Sequence, residues 1–445
     1  MTNETTVKTA PLSGKPTEVG NYFVANYPPF SSWNEGAIDA VSERLATSGT
    51  NPPELGLYFH IPFCRKRCHF CYFRVYTDKN AKEIGSYLDA AVRELEIYAE
   101  KRYLNGRRLG FVYFGGGTPS YLSVRQLETL AKRLQALFPW DRADEITFEC
   151  EPGTLSGAKL KTIREIGTSR LSLGVENFDD KVLEINGRAH RSGEVYRTYE
   201  EARALDFPQI NIDLIAGMMG ESESNWRRCV NETISLAPDS VTIYQMEIPY
   251  NTTVYRNMRE AGRVVAPVAD WPQKRAWVRF AFEKLEENGY TVTSGYTAVR
   301  NPDVTRFVYR DRLWTGADLL ALGVASFGHL GGLHYQNQTH FDEYIQSVES
   351  GNLPYSRACG TSEEERMIRE LILQMKIGSV SISYFRDKFG VEIVKRFEGP
   401  FSDLVSRGFV NIDQDRVCLE REGLLQVDSL LSSFFLPQHQ SVRYT

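Results

Sequence analysis

From residue 56 onward, short runs rich in β-branched and aromatic residues alternate with longer stretches whose apolar positions recur every three or four residues. The short runs occupy 57–60, 111–114, 146–149, 171–175, 210–214 and 241–245, and each predicts a buried strand. Between them lie segments such as IGSYLDAAVRELEIYAEKRY and SVRQLETLAKRLQALF, with one apolar stripe and one charged face, as crossover helices require. Six strands in about 190 residues predict a partial barrel of six β/α units rather than a closed ring of eight. Glycine and polar residues collect just after the strands, at the carboxyl end where such sheets place their chemistry.

The pattern differs at both ends. Residues 1 to about 20 are polar and rich in Thr, Lys and Pro, and read as a flexible tail. NYPPFSSWNEGAIDAVSERLA then turns from aromatic to helical, with Trp33, Ile38, Val41 and Leu45 at helical spacing, and predicts an arm packed on the main domain. Beyond Thr361, SEEERMIRELILQMK predicts a strong helix, followed by a shorter one and by two strands, FVNI and VCLE, around a turn at 413–416. The expected division is a tail and arm over 1–50, a barrel over 51–275, a mixed segment completing it over 276–360, and a helical, winged-helix-like domain over 361–445.

Composition is that of an ordinary globular chain: 445 residues, 42% hydrophobic and 24% charged, with 34 Gly and 19 Pro, which excludes a disordered or collagenous chain. Lys and Arg number 52 against 57 Asp and Glu, and the net charge of -5 speaks against nucleic acid as a partner, as does the lack of a concentrated basic face in the C-terminal segment. The first residues hold no apolar leader, and no run of about 18 apolar residues could span a bilayer, so a cytoplasmic protein is expected.

Seven cysteines are too few for a disulfide scaffold, and three of them, Cys64, Cys68 and Cys71, stand together in C-x3-C-x2-C spacing directly after the first strand. The other four, Cys150, Cys229, Cys359 and Cys418, read as small buried apolar residues. Three thiolates within eight residues can hold one soft metal centre. A zinc ion would want a fourth ligand, for which His69 is available but awkwardly placed between two cysteines, whereas a four-iron, four-sulfur cluster on three cysteines leaves one iron open. Gly115, Gly116 and Gly117, followed by Thr118 and Pro119 after the second strand, let backbone approach a ligand closely and expose amides to it. Glu149 and Asp213 each end an apolar strand, where a carboxylate is costly unless it binds something.

The cysteine spacing, with the aromatic Phe70 before the last cysteine, resembles the radical S-adenosylmethionine (SAM) superfamily. The order YFHIPFC, YFGGGTP, FECEP, RLSLGVENF, NGRAH, NIDLIAG and DLLALGVASFGHLGG is similar to the oxygen-independent coproporphyrinogen III dehydrogenase (oxidase) family and its relatives, from about residue 20 to 435, and NYPPFSSW resembles the aromatic arm of the dehydrogenases. The resemblance implies a partial (β/α)6 barrel with a 4Fe-4S cluster on Cys64, Cys68 and Cys71, and reductive cleavage of SAM to a 5'-deoxyadenosyl radical. It makes Tyr58 and Phe70 aromatic walls of the SAM pocket, Gly115, Gly116, Gly117 and Thr118 the cradle of its amino-acid part, and Glu149, Glu176, Arg188 and Asp213 its polar anchors. A second SAM would lie by the loops around Ile215, Met246 and Phe327. A low-potential electron donor such as flavodoxin or ferredoxin, and a small-molecule substrate, are implied with it.

Three departures bear on the substrate. Glu176 stands where the dehydrogenase often has Gln, Phe73 beside the SAM pocket where it has another cysteine, and Trp314 where it has a glutamine before the DLL motif. They favour methyl or methylene transfer to carbon with two SAM molecules, as in the class C methyltransferase and cyclopropane-forming relatives. Oxidative decarboxylation of coproporphyrinogen III is the alternative, and a haem chaperone the third reading, with His329, His334 and His340 near one another as conceivable haem ligands.

Overall fold

The computed structural model describes residues 23–249, 252–254 and 268–440. The tail expected over 1 to about 20 lies outside the described residues. All six expected strands form: β1 (Leu55–Ile61), β2 (Leu109–Gly116), β3 (Glu145–Cys150), β4 (Arg170–Glu176), β5 (Gln209–Ala216) and β6 (Ser240–Gln245) pair in parallel, in chain order. Parallel strands need long right-handed crossovers, and helices supply them. The first two, α1 aside, are α2 (Ala81–Ala99) and α3 (Val124–Leu137), while α1 (Ile38–Ala46) belongs to the N-terminal arm. Both crossover helices begin with a capping box, Asn80 with Glu83 and Ser123 with Gln126, which satisfies amides that the helix itself leaves unpaired. On α3 the buried residues are Leu127, Leu130, Ala131 and Leu134, the stripe that the spacing in the sequence predicts.

The segment after β6 extends the sheet at both edges. β7 (Thr291–Val292) and β8 (Thr297–Val299) add antiparallel strands beyond β6. β9 (Asp318–Leu322) pairs with β1 in parallel as a seventh parallel strand, and β10 (Phe327–Leu330), β11 (Leu333–Asn337) and β12 (Tyr355–Gly360) continue from it in antiparallel fashion. The result is one 12-stranded open sheet with β12 and β7 at its edges among the described residues. The run DLLALGVASFGHLGG therefore holds two strands, separated by a turn in which Gly323 takes φ +98° and Ala325 φ 58°.

The C-terminal helix Glu363–Met375 is buried along its second half and packs on a three-stranded antiparallel sheet, β13 (Ser379–Ser381), β14 (Val410–Ile412) and β15 (Arg416–Leu419), in the order 13-15-14. Its core also takes in Val24 and Tyr27 of the arm and Trp314 of the Val308–Trp314 helix, so arm and C-terminal unit share one hydrophobic cluster. Among the described residues no helix is long and apolar enough to cross a membrane.

Candidate active site

The chain leaves β1 through Pro62 and Phe63 and returns at Tyr76, where two backbone hydrogen bonds, Tyr76 N to Pro62 O (2.7 Å) and Cys64 N to Tyr76 O (3.1 Å), close the loop that carries the three cysteines. Within it the Cys71 amide donates to Cys68 O at 3.2 Å, and the His69 amide to Asn186 O at 2.9 Å. The Thr118 hydroxyl donates to Cys64 Sγ (3.3 Å) and Arg188 Nη1 to Cys68 Sγ (3.4 Å), so both sulfurs face donors from neighbouring β/α loops. Burial pushes the Cys64 thiol up to about 12 and the Cys71 thiol to about 11, so each needs a bound cation to give up its proton.

The His69 Nδ1 donates to Ile185 O at 2.9 Å, and its ring packs on Gly187, where a Cβ would lie 2.8 Å from Cδ2 and 3.0 Å from Nε2. Three cysteines on one loop fit a cluster that keeps one iron open.

The glycines after β2 serve this loop differently from the expectation. A Cβ on Gly117 would stand 2.9 Å from the Pro62 carbonyl carbon and 3.0 Å from Cys64 Sγ, and one on Gly116, at φ +115°, 2.6 Å from the His60 ring. Their amides are engaged inside the protein, Gly117 N with Ile61 O (2.8 Å) and Gly116 N with Glu149 Oε2 (3.2 Å). The glycines thus let the cysteine loop lie against β2, and these two amides are not exposed for a ligand.

A cavity of about 400 Å³ opens beside the three cysteines. Phe70, Phe73, Gly116, Gly117, Thr118, Glu149, Glu176, Arg188, Asp213, Ile215 and Met246 line it together with Cys64, Cys68 and Cys71, so the fold brings these sequence-expected residues to one space. Phe70, Ile215 and Met246 form its apolar side, and Met218 and Met219 pack in the same apolar cluster. Three expected residues stand elsewhere. Tyr58 is one ring behind the wall, stacked on Tyr113 (5.9 Å) and hydrogen-bonded to His60 Nδ1 (3.1 Å), because β1 turns its Tyr58 face toward its neighbours β2 and the Val308–Trp314 helix. Gly115 faces the rings of Tyr113 and Tyr58. Phe327 follows the turn after β9, packs on Phe30 (4.5 Å) and Trp33 (5.7 Å) of the arm, and is not among the residues that line the cavity.

The carboxylates are set deep. Burial raises Glu149 to about 7, although Tyr113 Oη donates to it at 2.5 Å and the Gly116 amide at 3.2 Å. Burial likewise raises Glu176 to about 7 against the pull of Arg188, whose Nη2 lies 3.6 Å from Glu176 Oε1 and donates to Gly174 O at 2.6 Å. Asp213, also raised by burial, accepts from Ser172 Oγ and Asn211 Nδ2, both at 2.9 Å. Such a set suits a cation or a polyhydroxylated ligand.

Among the lining residues that sequence reasoning missed are Tyr113, Arg170, Glu247 and Phe307. Arg170 carried a signal: in RLSLGVE, period two puts it on the same face as Ser172, Gly174 and Glu176. The histidine trio divides: His329 and His334 are buried against each other, Nδ1 to Nδ1 at 3.0 Å, with Trp33 stacked on His334, while His340 caps the helix Phe341–Glu349 at the surface. Trp314 is buried and its carbonyl accepts from Gln374, which places it against the C-terminal unit. Of the scattered cysteines, Cys150 and Cys229 are buried, but Cys359 and Cys418 are only half-buried, and Cys150 lies on the cavity wall.

Residues 58–232 match the radical SAM superfamily, so the chain carries a domain that resembles it. Residues 361–425 match the HemN C-terminal domain. Members of the superfamily use a 4Fe-4S cluster and SAM. Among curated relatives the chain is 28% identical to the haem chaperone HemW of Bacillus subtilis (strain 168), over 85% of this chain and 98% of that one. It is 27% identical to the oxygen-independent coproporphyrinogen III oxidase of Pseudomonas aeruginosa over 94% of both chains. The solved coproporphyrinogen III oxidase (HemN) from Escherichia coli shares the fold, with a TM-score of 0.80 at 24% identity over 93% of this chain and 96% of that one.

Proposed function

We propose that this protein is a SAM-dependent radical enzyme that carries out the oxygen-independent oxidative decarboxylation of coproporphyrinogen III. The observation that carries the reading is one cavity bounded by a three-cysteine loop, two glutamates, an aspartate and two guanidiniums, in a chain whose oxidase relatives match it over nearly its whole length. When bound, cluster and SAM together supply a one-electron cleavage and the abstraction of a hydrogen atom from an unactivated carbon. The chain does the rest. Cys64, Cys68 and Cys71 hold the cluster, with Arg188 donating to Cys68 and Thr118 to Cys64. Glu149 and Asp213 take the ammonium and hydroxyl groups of SAM, and Phe70 covers its apolar side. Glu176, at φ 63°, is held on the cavity wall by Arg188. A second SAM fits the side formed by Ile215 and Met246, without Phe327. A flavodoxin- or ferredoxin-like carrier delivers the electron.

Methyl or methylene transfer, expected from the three departures, has no support in the relatives that cover most of the chain, whose names are those of oxidases and haem chaperones. The chaperone reading keeps one specific observation: Phe73, 48% exposed at the cavity mouth, stands where the dehydrogenases have a cysteine. The test is anaerobic incubation of the reconstituted protein with reductant, SAM and coproporphyrinogen III. Carbon dioxide loss from the porphyrinogen matched by 5'-deoxyadenosine is the expected result. An intact porphyrinogen overturns the oxidase reading, and S-adenosylhomocysteine beside 5'-deoxyadenosine would restore the transferase.

A further inference from the structure

Arg188 follows the helix Asp180–Ile185 and reaches the cysteine loop from the end of β4, which is shaped to receive it. The ladder between β4 and β5 is irregular between Gly174 and Glu176, and Glu176 takes φ 63°. There two carbonyls accept from side chains, Gly174 O from Arg188 Nη2 at 2.6 Å and Val175 O from His190 Nε2 at 3.1 Å. A Cβ on Gly174 would stand 3.0 Å from Glu176 Oε1 and 3.4 Å from Arg188 Nη2, so the guanidinium lies in room that glycine leaves. Because Nε2 of His190 carries the proton, its Nδ1 is an acceptor, and it faces Arg188 Nη2 at 3.4 Å. Burial and the charge of Arg188 push the imidazole down to about 2, so it stays neutral in that role. Glu176 Oε1 lies 3.6 Å from the same nitrogen, and both side chains of the pair are only 12% exposed, so water screens the guanidinium little. With Nη2 held in this way, Nη1 reaches Cys68 Sγ at 3.4 Å. The other two cysteine sulfurs take neutral donors, Cys64 the Thr118 hydroxyl at 3.3 Å and Cys71 the Phe73 amide, while Arg67 binds the carbonyl of Cys71 at 3.1 Å and not its sulfur.

We infer that Arg188, oriented by His190, sets the reduction potential of the cluster held by Cys64, Cys68 and Cys71, and that it raises that potential. Reduction adds one electron to a centre already bound by three thiolates, and a hydrogen bond or a cation at a sulfur stabilises the more negative state. A guanidinium supplies both at once. Its charge-assisted N–H bond is roughly twice as strong as one from a neutral donor such as the Thr118 hydroxyl, and its charge persists at every working pH. The inference rests on the reading of the cysteine loop as a cluster site and adds to it a positioning role for His190, which acts through Arg188. The effect is separate from any contact of Arg188 with SAM, because it acts on the cluster before SAM is bound.

The experiment is a redox titration of the anaerobically reconstituted protein without SAM, read by the electron paramagnetic resonance signal of the reduced cluster, in the wild type, R188Q, R188K, H190F and T118V. Iron content and visible absorption establish that each protein is loaded. Expected are a midpoint potential most negative in R188Q, a value for R188K between R188Q and the wild type, and shifts in H190F and T118V of the same sign as in R188Q but smaller. A midpoint that R188Q leaves unchanged, or a T118V shift as large as that of R188Q, overturns the role of Arg188, and H190F at the wild-type value overturns the positioning role of His190. Should R188Q take up no iron, R188K and H190F decide: negative shifts in both uphold the inference, and wild-type potentials in both overturn it. A wild type that takes up no iron overturns the cluster reading and this inference with it, whereas a loaded wild type whose potential is indifferent to Arg188 overturns the inference alone.

Discussion

Glu149 is a carboxyl group that the fold keeps neutral until something positive arrives. Its value in the folded chain is about 7 against 4.5 for a free glutamate, chiefly through burial. Between those two values the folded protein holds a proton that the unfolded chain releases, so each rise in pH favours unfolding. The penalty is absent below about 4.5, complete above about 7, and on the order of 3 kcal/mol at most. The ligand-free protein is expected to lose stability from pH 5 to pH 8 in chemical denaturation, and Glu149→Gln should lessen that slope, the rest coming from Glu94, Glu176, Glu221 and Glu247, which burial also raises; an unchanged slope would place Glu149 in contact with water. A cationic ligand inverts the relation, because it binds the ionised form. SAM affinity of the reconstituted protein should therefore rise as the pH passes through about 7, and Glu149→Gln should lower it roughly tenfold and remove the rise while the iron content stays the same. Cys68→Ala is the complementary change. It should abolish iron incorporation, measured by iron analysis and the visible absorption band, and a variant that kept its cluster would refute the ligand assignment.

At the scale of elements, the site depends on how closely two β/α loops approach. The loop after β1 carries the cysteines, and the turn after β2 gives way to it only because Gly117 has no side chain to meet Pro62 and Cys64. Gly117→Ala is expected to leave the sheet intact by circular dichroism but to cut cluster loading severely, since the Cβ has to displace backbone rather than the end of a flexible side chain; normal loading would show that the loop is free to move. This contact also marks where sequence reading stopped. The first six parallel strands were legible because each is a short apolar run bounded by glycine or polar residues, and the cysteine loop was legible from spacing alone. β9 was not, because in DLLALGVASFGHLGG an apolar run continues across a turn, and which edge a late strand joins depends on contacts some 260 residues away in sequence. Tyr58 and Phe327 were misplaced for a related reason: a motif gives a position in the chain, whereas a place in a cavity depends on which face of the strand the side chain occupies. That alternation, applied to β4, would have found Arg170.

At the scale of the molecule, the two ends of the described chain meet over the cavity. Lys376, fully buried at the end of the helix Glu363–Met375, donates to Val24 O at 2.8 Å, pairs with Asp428 at 2.9 Å and lies 3.3 Å from the centroid of the Phe23 ring. Asp428 in turn accepts from the Val24 amide at 2.8 Å, and Glu247, after β6, accepts from the Phe23 amide at 2.6 Å. Phe23 and Glu247 both line the cavity, so one lysine ties the arm, the C-terminal unit and the wall of the site together. Removing one partner of a buried pair typically costs 3–5 kcal/mol, because the other charge is left uncompensated. Lys376→Met should therefore destabilise the protein by about 3 kcal/mol in urea denaturation, and Lys376→Met with Asp428→Asn should recover part of the loss. The consequence for the site follows from the geometry. With Lys376 gone, Val24 loses a donor to its carbonyl and Phe23 its cation, and amide hydrogen exchange over residues 23–27 should quicken while that of β1 to β6 stays slow. The substrate KM is expected to rise more than kcat falls, because the arm supplies part of the cavity wall and none of the residues beside the cysteines. Exchange that stays slow at Val24 in the variant would show that Tyr27, whose hydroxyl is 2.9 Å from His439 Nδ1 and accepts from the Leu436 amide at 3.0 Å, anchors the arm without help from Lys376.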